Sequence, residues 1–253
     1  VPALESFLDC RDPDALAGQI ASWPEQARSD GSAALQELRE VFVAMDAMGV
    51  GDYDKTWDYL ERARPIAEAS QDPLLKARLS RYEGLLCLMT GSYERGIRVN
   101  LEGVRFARQF GLVEPEIVML HNAGDCHYNL GNIREALYHF NESLRKAERT
   151  GFQKLIASNE IFIGHIEATH LGIEAGLEKL RRAIKAEYRV GRLWNIPQGL
   201  QLRGRTELAL GRPKAAAKSF RKAVEVAKET GVQYFIENAE RSLREFQSKV
   251  PSP

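Results

Sequence analysis

Gly124 to Gly151 reads GDCHYNLGNIREALYHFNESLRKAERTG. A helix to Leu130, a tight turn at Gly131-Asn132, a second helix from Ile133 and a stop at Gly151 are its natural parsing. Three other stretches share the shape. They are GLLCLMTGSYERGIRVNLEGVRFARQFG from Gly84, GHIEATHLGIEAGLEKLRRAIKAEYRVG from Gly164 and GRTELALGRPKAAAKSFRKAVEVAKETG from Gly204. Their starts are 40 residues apart without insertion. A fixed period of this size marks a solenoid, in which each unit buries its apolar face only against its neighbours. The expected fold is therefore all-α.

Working outward, a shift back from Gly84 lands on Ala44, and Gly51-Asp52-Tyr53 matches Gly91-Ser92-Tyr93. A further shift makes Asp14 to Arg28 a second helix, with Pro24 inside it and Gly31 at its end; only Ala3 to Leu8 remain for its partner. The division is a partial first repeat at 1–31, repeats at 32–71, 72–111, 112–151, 152–191 and 192–231, and a capping helix at 234–250. First helices are predicted at 34–48, 74–90, 115–130, 154–170 and 195–210. Second helices are predicted at 54–70, 94–110, 134–150, 174–190 and 214–230. Glycine at 51, 91, 131 and 211 suits the inner turn, and glycine at 111, 151, 191 and 231 the helix stop. The fourth unit has Leu171-Gly172 at the inner turn, so that turn should be altered. The last helix has a polar face (Glu237, Glu240, Arg241, Arg244, Glu245), as a cap requires.

Composition is ordinary for a globular chain: 44% hydrophobic and 28% charged. No window reaches the ~18–20 apolar residues of a membrane span, and no secretory signal opens the chain. Cys10, Cys87 and Cys126 lack paired spacing, which favours free thiols, a reducing compartment and a cytoplasmic location. A start at Val1-Pro2 and a cut first unit lead us to expect more chain upstream. The zero net charge hides a polarity: residues 1 to 72 hold 15 acids against 6 bases, and the rest hold 20 against 29. Solvated helix faces explain it, although such a field also favours head-to-tail association. Self-association through the cut amino-terminal end is a further expectation.

The alternation of small and large residues resembles the tetratricopeptide repeat. Its first-helix small position is Ala44, Gly84, Gly124, Gly164 and Gly204; the second-helix small positions are Thr56, Gly96, Ala136, Gly176 and Ala216, then Ala63, Gly103, Ser143, Ala183 and Ala223. The large position is Leu60, Asn100, Phe140, Leu180 and Phe220, where Asn100 departs from the pattern, as Pro213 does after the last turn. The 40-residue unit is longer than the family's usual 34 and is similar to repeats of the maltose-regulon activator type, of spindle-orientation adaptors and of bacterial peptide-sensing regulators. The resemblance covers about Asp14 to Val250. It implies a right-handed superhelical solenoid of antiparallel hairpins whose first helices line a concave groove.

In that family the groove-facing side chains stand three and four residues before the small position, and one, four and five after it. That places Arg81, with Tyr82 beside it, in the second unit, and Arg78 joins them as a candidate contact. The third unit gives His121, Asp125, Tyr128 and Asn129, with Asn122 at the edge. The fourth gives His165 with Phe162, and the fifth gives Gln201 and Arg205. Met45 and Met48 would make the amino-terminal end oily. Asparagine offers both a donor and an acceptor to the backbone of an extended peptide.

Catalytic patterns are weak. The five histidines have no HExxH spacing and read as structural, and Cys126 and His127 point to different helix faces. A His121–Asp125 pair at i, i+4 reads as surface decoration. No phosphate-loop or Rossmann glycine pattern occurs. No metal or cofactor is expected. The basic runs Lys179-Leu180-Arg181-Arg182 and Lys214–Lys222 fall on second helices, where a solvated face explains them. The function expected is non-catalytic: a protein or peptide ligand is held in the groove, and the chain is the docking or sensing part of a larger regulatory or signalling protein. The alternative is an effector-sensing or nucleic-acid-binding region of a transcription regulator.

Overall fold

The computed structural model describes residues 51–69, 73–189 and 195–250. The expectations for the partial first repeat, for the helix at 34–48, for Gly31, Met45 and Met48, and for Gly191 lie outside these residues. Among the described residues there are ten helices and no strand. They are α1 (Tyr53–Ala69), α2 (Pro73–Met89), α3 (Tyr93–Gln109), α4 (Val113–Asn129), α5 (Ile133–Thr150), α6 (Gln153–His170), α7 (Ala175–Arg189), α8 (Ile196–Ala209), α9 (Pro213–Thr230) and α10 (Gln233–Lys249). Each lies within two residues of its predicted bounds.

Glycine ends half of these ten helices by one mechanism. At Gly131 (φ +78) the backbone turns left-handed, Asn132 N–H reaches His127 O at 2.9 Å and Gly131 N–H reaches Tyr128 O at 3.0 Å. This pair of bonds is a Schellman closure, which satisfies carbonyls that the helix end would leave bare. The same closure recurs around Gly91, Gly111, Gly151 and Gly211. The fourth inner turn differs as expected. Gly172 carries the positive φ, Ile173 N–H reaches back to Glu167 O, and α7 starts only at Ala175.

Each helix packs on its neighbours in sequence, and α2, α4, α6, α8 and α10 also touch in succession. The even-numbered helices thus form an inner layer with partners on two sides. Burial follows: α4 buries ten of its 17 residues, whereas α5 buries four of its 18. The outer helices are accordingly one-sided, with apolar stripes such as Ala136, Phe140 and Ala147. Inner and outer layers meet where glycine faces a large residue. A Cβ on Gly124 would lie 2.9 Å from the Phe140 ring. At Gly164 the partner is backbone: a Cβ there would stand 2.7 Å from Gly176 O and 2.8 Å from Leu180 N.

Candidate functional site

A polar pocket of about 240 Å³ lies on the inner layer between α4, α8 and α10. Asp125 forms its floor. Although α6 separates α4 from α8 in sequence, Gln198 Nε2 of α8 donates to Asp125 Oδ2 at 3.1 Å. A direct bond between inner helices of hairpins two apart requires the layer to curve inward. Asn129 Nδ2 donates to the other oxygen, Oδ1, at 2.9 Å. Asp125 is only 2% exposed, and burial pushes its carboxyl up to about 6 against the pull of these two amides.

Arg205 stands exposed at the rim, with Nη2 3.5 Å from Ser242 Oγ and its positive charge near the Tyr128 hydroxyl. Ser242 Oγ donates to Gln201 Oε1 at 2.8 Å. Tyr128 Oη lies 2.8 Å from His165 Nε2, and His165 Nδ1 lies 2.7 Å from Thr206 Oγ1. Thr206 donates its own proton to Leu202 O, so the network assigns the His165 proton to Nδ1 and leaves Nε2 to accept from tyrosine. Burial, together with the charges of Arg205 and His170, drives His165 down to about 3. A second ladder runs outward: His121 Nδ1 to Asn159 Oδ1 at 2.9 Å, Asn159 Nδ2 to Ser143 Oγ, and Ser143 Oγ to Ile117 O. Burial lowers His121 to about 4.

Of the residues the spacing placed on the groove, Asp125, Tyr128, Asn129, Gln201 and Arg205 line this one pocket. His165 and His121 stand behind it in the two ladders. The pairing of His121 with Asp125 is corrected: His121 bonds Asn159, and Asp125 bonds Gln198 and Asn129, so the two are not surface decoration. Asn122 is buried. Phe162, at 2% exposure, stacks on Phe140 with ring centroids 4.5 Å apart, and so supports the pocket from beneath. Arg78 and Tyr82 are buried on α2, one hairpin before α4, with Tyr82 beside Leu79 and Leu86 and the half-exposed Arg81 guanidinium 5.1 Å from the Tyr82 ring.

Spacing did not single out Gln198 or the contribution of α10. Gln198 lies one helical turn before Gln201 on the same face, a signal present in the sequence. Tyr234, Asn238, Arg241, Ser242 and Glu245 line the pocket from α10, whose polar face had read as a solvated cap. Tyr93, known only as a turn aromatic, completes the wall. Among the described residues no cluster of three or more His, Cys, Asp or Glu has a metal-binding arrangement, and no helix is long and apolar enough to cross a membrane.

No protein-family model matches the chain, and no curated protein matches it by sequence. Solved structures do. A Rap protein complexed with competence and sporulation factor superposes with a TM-score of 0.68 at 11% identity, covering 93% of this chain and 68% of that one. Aspartyl phosphate phosphatase F from Bacillus subtilis gives 0.61 at 13% identity, over 89% of this chain and 62% of that one. A signal-transduction ATPase with a tetratricopeptide repeat sensor, from Pyrococcus horikoshii, gives 0.57 at 14% identity, over 88% of this chain and 34% of that one. The fold is a tetratricopeptide-like helical repeat. At these identities the likeness concerns the fold alone, and this chain spans about a third to two thirds of the length of those three proteins.

Proposed function

We propose that the chain is a non-catalytic interaction module, built from 40-residue units of the extended type along its length, which binds a peptide segment or partner helix on its inner wall. It serves as the docking or sensing part of a larger regulatory or signalling protein. The observation that carries this reading is the convergence of Asp125, Tyr128, Asn129, Gln201 and Arg205, from two hairpins, on one polar pocket. Amides and guanidinium together offer the donors and acceptors that an extended backbone needs. The kind of neighbour also supports it, since one is a repeat protein held with a factor and another is named for its sensor.

One neighbour is named a phosphatase, but the buried titratable groups of this chain do not suit catalysis. The buried Cys126 thiol is pushed up by burial and by Asp125, which leaves a poor nucleophile. His165 is held neutral with both ring nitrogens engaged and His121 with its Nδ1 engaged, so neither is poised as a base near pH 7. The nucleic-acid alternative is weakened where Lys179, Arg181 and Lys222 of the basic runs pair with Glu167, Glu207 and Glu225.

Selection of a random peptide library on the immobilised chain tests the proposal. The wild type should enrich a consensus segment, and Asn129→Ala combined with Arg205→Glu, both at exposed positions, should weaken that segment at least ~10-fold. An enriched segment that binds the double variant equally well removes the inner wall as the site.

A further inference from the structure

We infer that the pocket between α4, α8 and α10 is a site for a compact zwitterion, an α-amino acid or very short peptide, whose ammonium meets Asp125 at the floor and whose carboxylate meets Arg205 and Arg241 at the rim. The inference shares the inner wall with the proposed function but not the occupant, so the two readings fail separately.

The first support is an unbalanced buried charge. Asp125 is 2% exposed, yet among the described residues it enters no ion pair, and its hydrogen-bond donors are the neutral amides of Gln198 and Asn129. An ionised carboxylate accepts about four hydrogen bonds, so both oxygens retain open positions. Burying a carboxylate without a cation is costly, and an asparagine would pack there more cheaply. A carboxylate that costs stability and lines a cavity is placed for a ligand that supplies the missing positive charge.

The second support is where the opposite charges lie. Arg205 and Arg241 are exposed at the mouth, and Glu245 joins them there. Two guanidinium groups against two carboxylates leave the pocket formally neutral, so it offers little net attraction to a plain cation or anion. The negative charge is deep and the positive charge is shallow. A molecule carrying both signs, ammonium first, satisfies both ends, and the guanidinium fork suits a carboxylate.

Size is the third. About 240 Å³ falls below the roughly 300–1,000 Å³ of sites for drug-sized ligands. It holds about one or two residues. Tyr93, Tyr128 and Tyr234 give apolar faces for a side chain or stem, and Tyr234 is drawn in far enough for burial to raise its phenol.

Calorimetric titration of the whole chain with each of the twenty free amino acids and a set of dipeptides tests this, using N-acetylated and C-amidated forms as controls. At least one free zwitterion should bind, and blocking either end should weaken it at least ~10-fold. Asp125→Asn should abolish the dependence on the free amine while leaving the melting temperature of the unliganded chain equal or higher. Arg205→Gln with Arg241→Gln, both at exposed positions, should abolish the dependence on the free carboxylate. Binding by amino acids but not dipeptides, or the reverse, supports the site and identifies its source. The inference is overturned if no zwitterion binds the wild type at 10 mM, if end-blocked forms bind as well as free ones, or if the charge-removing variants bind normally. A library-derived segment that binds while every zwitterion fails would sink this inference and leave the groove reading standing.

Discussion

Gly164 is the position at which one missing methyl group decides a contact. Its hypothetical Cβ would meet the backbone of α7, 2.7 Å from Gly176 O, and backbone cannot rotate aside as a side chain does. Gly164→Ala should therefore cost roughly 2–4 kcal/mol, the usual range for forcing apart a packed pair. Gly91→Ala should cost only about 1 kcal/mol, since its φ of +75° is strained for alanine but the space beside it is open. Urea midpoints of the two variants check the ranking, and equal losses would refute the close approach. Asn100 is the opposite case. Its Nδ2 bonds Gly96 O, while Oδ1 is buried without a hydrogen-bond partner among the described residues. Asn100→Leu, of similar size, should raise stability by about 1 kcal/mol in the same measurement. All three residues were legible as pattern positions, but the size or sign of each effect comes from what stands opposite.

Among the elements, α10 is the one whose role exceeds what its pattern announced. Ala239, Ser242 and Phe246 face α8 and α9, with Phe246 and Phe220 rings 5.3 Å apart, as a cap should. The opposite end reaches the start of α1: a Cβ on Gly51 would sit 3.3 Å from Gln233 Cγ. Thus α10 closes one side of the pocket, and a long ligand has to pass beside it. Phe246→Ala removes the largest anchor of a terminal unit, at a cost of about 3–5 kcal/mol to that unit. In a stack held by nearest neighbours the loss should stay local. Hydrogen exchange should accelerate in α10 and the end of α9 and remain unchanged in α4 to α6. Uniform acceleration would mean that the array unfolds as one block.

At the scale of the molecule, the buried polar ladders join α4, α5, α6 and α8, so their protonation touches every central hairpin. His121 and His165 ionise in the folded chain only near pH 4 and 3, against 6.5 for the free side chain. Below pH 6.5 the unfolded chain takes up protons that the native chain refuses, so stability present at neutral pH is lost as pH falls. Asp125 acts in the other direction. Its raised pKa of about 6 means that the native chain binds its proton first, and this recovers part of the loss between pH 6 and 3.8. Two histidines outweigh one carboxyl, which leaves a net loss of roughly 2–4 kcal/mol by pH 4.5. Urea unfolding at pH 7.0 and 4.5 measures it, and Asp125→Asn should steepen the fall. A flat profile would show that the histidines are not held neutral.

Period and chemistry of the glycines were enough, without coordinates, to place every described helix and the altered turn at Gly172. Those features are local: a left-handed residue and a 3.6-residue stripe act within a few positions of chain. The same spacing put Asp125, Tyr128, Asn129, Gln201 and Arg205 on one face. It could not show that Gln198 reaches Asp125 across 73 residues, that Phe162 lies beneath the wall, or that α10 forms the pocket's outer side. Each of these depends on the curvature accumulated over successive hairpins. Curvature is a sum of small packing offsets between layers, and no single repeat carries it in its own sequence.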